Sequence, residues 1–251
     1  MKRSDLMSHL NNLLEPHTIK DFSPNGLQIE GKDNITKIVT GVTASQALID
    51  AAINHKADAI LVHHGFFWKG ESQQIVGMKK KRIEALIKHD INLIAYHLPL
   101  DIHPTLGNNA QLAKLLDITY EAGLELGSAK SIPVKGILNT PLTGSEFAQK
   151  IATVLNREPV TSIVRDEKIN TIAWCTGGGQ GYIDLAAEQG IDAYLTGEAS
   201  EQTIHSSREQ NIDFFAAGHH ATERYGVKAL GEHLAAEHKL EVIFVDIDNP
   251  V

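Results

Sequence analysis

The sequence overlaps itself. Advancing residues 38–64 by 134 positions lays them on residues 172–198 without a gap, and eight of the 27 pairs are identical. About two would coincide by chance, so the match marks an internal duplication. Asp50 falls on Asp184, Ala52 on Ala186, Asp58 on Asp192, Ala59 on Ala193 and Leu61 on Leu195. In each copy an apolar run is followed by a helical period and then a second apolar run. That is the order of a strand, a crossover helix and a parallel strand. The fold class is therefore α/β, a duplicated α/β repeat with mixed sheets.

Along the first half the patterning predicts a helix over 4–15, with Leu6, Leu10, Leu13 and Leu14 on one face and Ser4 as N-cap. A turn at Asn25-Gly26 leads to a short strand over 27–29. Strands are expected over 37–43, 57–63 and 91–97, and helices over 45–56, 79–89 and 108–116. The second half repeats the order: helices over 145–156, 182–189, 203–210 and 222–238, and strands over 160–164, 171–176, 192–196, 213–217 and 240–246. Residues 117–133 have weak periodicity, which puts the boundary near 128. The expected repeats are 1–127 and 128–251, with the C-terminal helix and strand able to pack back on the first.

Three of the apolar runs end in the same chemistry. Ala59-Ile60-Leu61-Val62 stops at His63-His64-Gly65, Leu93-Ile94-Ala95-Tyr96 at His97 with Asp101 just beyond, and Phe214-Phe215-Ala216-Ala217 at Gly218-His219-His220 with Glu223 following. Ligands of open α/β sheets bind at the carboxyl ends of strands. Imidazole and carboxylate together suit Zn, Fe, Mn, Ni or Co better than the oxygen-only shells of Ca or Mg. His63, His64, Asp101, His219 and Glu223 are the five candidate ligands. They would serve two ions that share a carboxylate and a bridging water and keep open positions for a substrate. If a duplicated unit pairs with itself about a pseudo-two-fold, the strand ends of both halves face one cleft.

Adjacent residues of a strand point to opposite faces, so His63 and His64 can both ligate only if the strand ends there and Gly65 lets the backbone turn. His97 is read as a group that orients a ligand or moves a proton. His220 is divided evenly between solvent and site. Ser45, Thr196 and Glu198 fall at strand ends and are expected to line the cleft. The run Thr176-Gly177-Gly178-Gly179-Gln180-Gly181 matches neither a dinucleotide fingerprint nor a Walker motif. It reads as a tight turn, with a weak anion site at a helix N-terminus as the alternative. Phe66-Phe67-Trp68 is expected to be a cleft wall or a subunit contact.

Composition narrows the classes. A formal charge of −8 leaves no basic footprint for bulk nucleic-acid binding. No apolar run approaches the roughly 20 residues of a membrane span, and the N-terminus lacks an apolar signal region. The lone cysteine, Cys175, sits in the apolar run after Trp174 and reads as a buried, inert thiol in a reducing, cytoplasmic setting. Of the 13 histidines, His9, His17, His55, His89, His205, His233 and His238 fall in polar helical contexts and read as surface residues.

Four spaced motifs recur together: Asn25-Gly26-Leu27-Gln28-Ile29-Glu30-Gly31, His63-His64-Gly65, His97-Leu98-Pro99-Leu100-Asp101 and Gly218-His219-His220-Ala221-Thr222-Glu223-Arg224. In these the chain resembles the GTP cyclohydrolase I type 2 homologue family, also called the Ngg-one-interacting-factor-three-like family, from about residue 4 to residue 250. The resemblance implies two intertwined α/β lobes, a dinuclear divalent metal site between them and a toroidal homohexamer. It implies the ligands His63, His64, Asp101, His219 and Glu223, the same five that the residues suggest. Larger members carry an inserted domain for which this chain is too short. The expected function is a metal-dependent hydrolase or cyclohydrolase acting on a nucleotide-like small molecule, with His97 moving a proton. The alternatives are a metal-trafficking or storage protein and, less favoured, a protein-binding adaptor that uses the Phe66–Trp68 surface.

Overall fold

The structure is a computed structural model that describes residues 1–251. In chain order the first elements are α1 (Arg3–Leu14), β1 (Gly26–Ile29), β2 (Lys37–Thr43), α2 (Gln46–Asn54), β3 (Ala59–His64), α3 (Gly77–Lys88), β4 (Asn92–Ala95) and α4 (Leu98–Ile102). Then follow α5 (Asn108–Leu116), β5 (Ile118–Gly123), β6 (Val134–Leu142), α6 (Gly144–Leu155), β7 (Val160–Ser162), β8 (Ile169–Cys175) and α7 (Ile183–Glu188). The chain closes with β9 (Ala193–Thr196), α8 (Glu201–Gln210), β10 (Asp213–Ala216), α9 (His219–His238) and β11 (Glu241–Phe244). Two compact units result. The first comprises Met1–Gly107 and Gly226–Asp248, and the second Asn108–Tyr225 and Asn249–Val251.

The first unit holds a five-stranded mixed sheet in the order β1-β4-β3-β2-β11, parallel except for the edge strand β1. Its central strands are buried on both faces, and their alternation decides which helices cover them. Ile38, Ala59, Leu61, Ile94 and Tyr96 pack with Leu6 and Leu10 of α1 and with Val227, Leu230 and Leu234 of α9. Their neighbours Val39, Ile60, Val62, Leu93 and Ala95 pack with Leu48, Ile49 and Ala52 of α2 and with Ile83 and Leu86 of α3. Helix α1 starts at Arg3 with Lys2 as its N-cap, so Ser4 lies inside the first turn rather than capping it.

The second unit holds a six-stranded mixed sheet in the order β5-β6-β8-β9-β10-β7, with β8, β9 and β10 parallel and the rest antiparallel. One face packs Ile172, Trp174, Ala193, Leu195 and Phe215 against α5 and α6. The other packs Ala173, Cys175, Tyr194, Phe214 and Ala216 against Ile183 and Ala186 of α7. Strands β5 and β6 have no counterpart in the sequence reading. Tyr120 in β5 and Ile137 in β6 are exposed, which erases the apolar alternation that would mark a strand. No helix is long and apolar enough to cross a membrane.

The duplication is kept to the residue. Ile38 pairs with Ala59 in the first sheet and Ile172 with Ala193 in the second, a shift of 134 at both positions. The repeated aspartates do the same task in each copy. Asp58 accepts hydrogen bonds from the amides of Thr36 and Lys37 at 2.9 and 3.1 Å, and Asp192 from those of Asn170 and Thr171 at 3.0 and 2.9 Å. A cation covers each carboxylate: Lys32 on Asp58 and Arg165 on Asp192, both at 2.8 Å. These acids tie the start of a strand to the chain before its parallel neighbour, and they stand at the strand end opposite the histidines.

Candidate metal centre

In the first unit the ligand-type side chains gather at the carboxyl ends of β3 and β4. His63 is fully buried, and its Nδ1 lies 3.1 Å from the carbonyl oxygen of Tyr96. A carbonyl only accepts, so Nδ1 donates to it and Nε2 is turned away from it. That Nε2 lies 3.4 Å from Oδ1 of Asp101, which is itself buried on α4. His64 is half-buried, and its Nδ1 lies 3.2 Å from the hydroxyl of Thr43, its register partner on β2. His97 precedes α4, and its Nδ1 lies 2.7 Å from Oδ1 of Asp21. The three rings have centroids 4.5, 5.1 and 5.7 Å apart, and each offers a ring nitrogen within 4.8 Å of the other two. His63 and His64 thus meet although they are adjacent in a strand, because they occupy its last two positions.

Gly65 follows for a reason other than the one read from the sequence. It does not adopt a left-handed conformation; Phe67 does, at φ 65°. A Cβ at Gly65 would lie 2.2 Å from Oε1 of Gln28 and 2.6 Å from Cβ of Ala95. The glycine is required by close approach of the chain, not by the turn. Gln28 then pins the turn: its Oε1 accepts the Phe66 amide at 2.6 Å, and its Nε2 donates to the carbonyls of Phe66 and Pro24. The aromatic cluster is not an exposed patch. Phe66 is buried in the core, and the Trp68 indole packs edge-on against His97, with ring centroids 4.9 Å apart, and lies 5.7 Å from His64. It walls the histidine group, and the adaptor reading loses the exposed surface on which it rested.

In the second unit the chemistry sits where β8, β9 and β10 end. His219 is the first residue of α9, three residues earlier than the sequence pattern suggests, which places His219 and Glu223 one turn apart on the helix. Nε2 of His219 lies 3.2 Å from Oε2 of the buried Glu223, and Nδ1 lies 2.6 Å from Oε1 of Glu198. Burial works against a charged His219, but the hydrogen bonds and charges of Glu223 and Glu198 outweigh it and raise its pKa to about 9. The two carboxylates make this a place that favours positive charge. His220 stays half-buried, and its amide donates to the carbonyl of Val251.

The glycine run serves this group and not an anion. Gly177 has φ 67°, and a Cβ there would lie 2.1 Å from Oε1 of Glu223. Its amide donates to Oγ1 of Thr222 at 3.0 Å and that of Gly179 to Oγ1 of Thr196 at 3.1 Å, so two of the amides an anion would need are already engaged. Thr196 is buried within that turn, and Ser45 caps α2 by accepting the Leu48 amide. Of the histidines read as surface residues, His9 instead packs against His233 and His238, at centroid distances of 5.5 and 4.4 Å.

Sequence reasoning missed Asp21. It lies 76 residues from His97, in a segment without periodicity, and only the Asn25-Gly26 turn marked its neighbourhood. Its side chain is 4% exposed. Burial opposes its charge, but hydrogen bonds from His97 and Asn25 prevail and bring its pKa down to about 2.

Comparison with known proteins adds a family likeness along the whole chain. The sequence profile of the family described as Duf34/NIF3 (NGG1p interacting factor 3) matches residues 1–250. A Haemophilus influenzae protein named GTP cyclohydrolase 1 type 2 homolog is 63% identical over 251 residues, all of both chains. One of the same name from Escherichia coli K12 is 53% identical over 251 residues, again all of both. Among solved structures, a protein described as ybgI, of unknown function, superposes with a TM-score of 0.97 at 53% identity over the whole of both chains. The crystal structure of TTHA1606 from Thermus thermophilus gives 0.89 at 32% identity, also over the whole of both.

Proposed function

Because the chain belongs to the Duf34/NIF3 (NGG1p interacting factor 3) family, we propose that it is a dinuclear divalent-metal protein that works as a hydrolase or cyclohydrolase on a nucleotide-like small molecule. The observation that carries the reading is the imidazole group of the first unit, where His63, His64 and His97 each bring a ring nitrogen within 4.8 Å of the others. An acceptor on Nδ1 of a ligating imidazole fixes its tautomer and orientation, and His63 has the Tyr96 carbonyl in that position. The backbone at Gly177, shaped around Glu223 with no room for a Cβ, supports the same reading in the second unit.

In this reading His63, His64, Asp101, His219 and Glu223 are the ligands of two divalent ions per subunit. A nitrogen-and-oxygen donor set without thiolate fits Zn, Fe, Mn, Ni or Co. Bound ions would supply Lewis acidity toward a substrate oxygen and lower the pKa of water. His97 holds or moves a proton at Nε2, since Nδ1 is committed to Asp21. Trp68, packed on His97 and near His64, limits the water around both rings. The substrate class rests on the name GTP cyclohydrolase 1 type 2 homolog carried by the relatives. The same reading places the protein in the cytoplasm as a toroidal homohexamer, which light scattering on untagged protein tests.

The deciding experiment is elemental analysis of untagged protein coupled to a turnover screen with GTP, other nucleotides and cyclic esters. Two equivalents of a transition ion and turnover that disappears in Glu223→Gln are expected. Activity that survives the loss of metal in Glu223→Gln overturns the mechanism. Metal that exchanges within minutes under mild chelation, with no turnover, overturns the enzyme reading in favour of metal trafficking.

A further inference from the structure

The segment between α1 and β1 contributes no ligand, yet its side chains grip His97 from behind. Asp21 spends both oxygens there. Oδ1 accepts from Nδ1 of His97 at 2.7 Å and from the amide of Phe22 at 2.6 Å. Oδ2 accepts from Nδ2 of Asn25 at 2.9 Å and from the amide of Leu98 at 3.0 Å. Asn25 closes the loop, because its Oδ1 accepts the His97 amide at 2.7 Å. The side chain and the backbone of His97 are therefore both held by one short segment. Three residues after Asn25, Gln28 holds the turn that follows His64.

We propose that Asp21 is the positioning residue of His97: its buried carboxylate fixes the Nδ1–H tautomer and the ring orientation, so that the Nε2 lone pair is the one presented beside His63 and His64. The inference rests on the reading of that group as a metal centre, but the tautomer it assigns requires neither ion nor substrate. A carboxylate with no proton of its own can only accept, so the proton between Asp21 and His97 belongs to Nδ1. A charge-assisted bond of this length is among the stronger ones in a protein and holds the ring against rotation. With the carboxylate removed, nothing on the segment prefers Nδ1–H, and the ring is released to carry its proton on Nε2, where the lone pair is needed.

The test is nitrogen NMR on the full-length chain with labelled histidine, in which the His97 signals are assigned by their loss in His97→Gln. In the wild-type protein the neutral form of His97 is expected to carry its proton on Nδ1. Asp21→Ala should shift His97 toward the Nε2–H form, and isosteric Asp21→Asn should shift it partly, since an amide replaces one of two accepting oxygens. Circular dichroism and thermal melting establish that the variants fold, and the Asn variant carries the test if the Ala variant does not. A second readout is affinity for Co(II), expected to fall about 10–100-fold in both variants. An Nε2–H His97 in the wild-type protein, or a tautomer and Co(II) affinity unchanged in a folded Asp21 variant, overturns the proposal. If the tautomer shifts as described and neither Co(II) nor any other ion binds the wild-type chain, Asp21 still positions His97 while the metal-centre reading fails.

Discussion

The two units use one strand–helix–strand frame and finish it with different chemistry. Positions 134 apart share a register and share the aspartate that ties down the chain at one end of the strands, Asp58 in one copy and Asp192 in the other. At the opposite ends the copies diverge. His63 and His64 in the first unit correspond to Gly197 and Glu198 in the second, Thr43 to Gly177, and Gly65 to Ala199. The first unit brings imidazoles off a strand. The second brings an imidazole and a carboxylate off the first turn of a long helix and clears space for them with glycine. What was kept is the part that folds each unit, and what changed is the chemistry at the carboxyl ends of its strands.

The sharpest way to break this contrast is to exchange small residues at corresponding positions. Gly65→Ala drives a Cβ into Ala95 and the pinned Gln28, and is expected to cost about 3 kcal/mol in denaturant unfolding. Its counterpart Ala199 is exposed, and Ala199→Gly should cost less than about 1 kcal/mol. Equal costs would mean that the two turns do not differ as described.

The aspartates should instead behave alike. Asp58→Asn is expected to lose about 2–3 kcal/mol and Asp192→Asn slightly less, without altering metal content. Burial opposes the charge of Asp58, but the bonds from Lys32 and Thr36 outweigh it and bring its pKa down to about 2 from 3.8. A carboxyl whose pKa is lower in the folded state stabilises fully above its unfolded value, and that contribution fades as pH falls from about 4 toward 2. Stability curves against pH should therefore be flatter in that window for Asp58→Asn. Asp192, also lowered despite burial by amide bonds from Thr171 and Asn170, gives the same sign.

Gly177→Ala combines a left-handed backbone with a collision at the carboxylate of Glu223, so about 1–2 kcal/mol of stability is expected to go. Metal content should fall much more steeply than stability, because Glu223 is displaced. The smallest effect belongs to the corresponding first-unit residue. Thr43→Val removes one exposed hydrogen bond to His64 and should cost under about 1 kcal/mol, with metal content nearly unchanged. Metal loss as large as that of Gly177→Ala would make Thr43 part of the site.

Much of the frame was legible because it is written in local periodicity. Buried strands such as Ala59–His64 and Ala193–Thr196 are unbroken apolar runs, and the repeat fixes their partners. The pair β5 and β6 was not legible, since the edge strand β5 has few buried side chains and the exposed Ile137 next to buried Leu138 blurs the alternation of β6. Of the site, the histidines and acids stood out because three apolar runs of one chain end at imidazole with a carboxylate or a second imidazole close by. Their supports did not. Asp21 reaches His97 across 76 residues, and nothing in the residues around either one points to the other.

The sequence by itself determined the duplication, the α/β class and the residue types available at the strand ends, since each follows from short-range pattern and identity. Only the tertiary structure decided which groups Nδ1 of His63 and of His97 face, why Gly65 and Gly177 admit no side chain, and that Asp21 stands behind His97. Hydrogen-bond direction and steric exclusion depend on distances between parts of the chain far apart in sequence. Those distances exist only once the chain has folded.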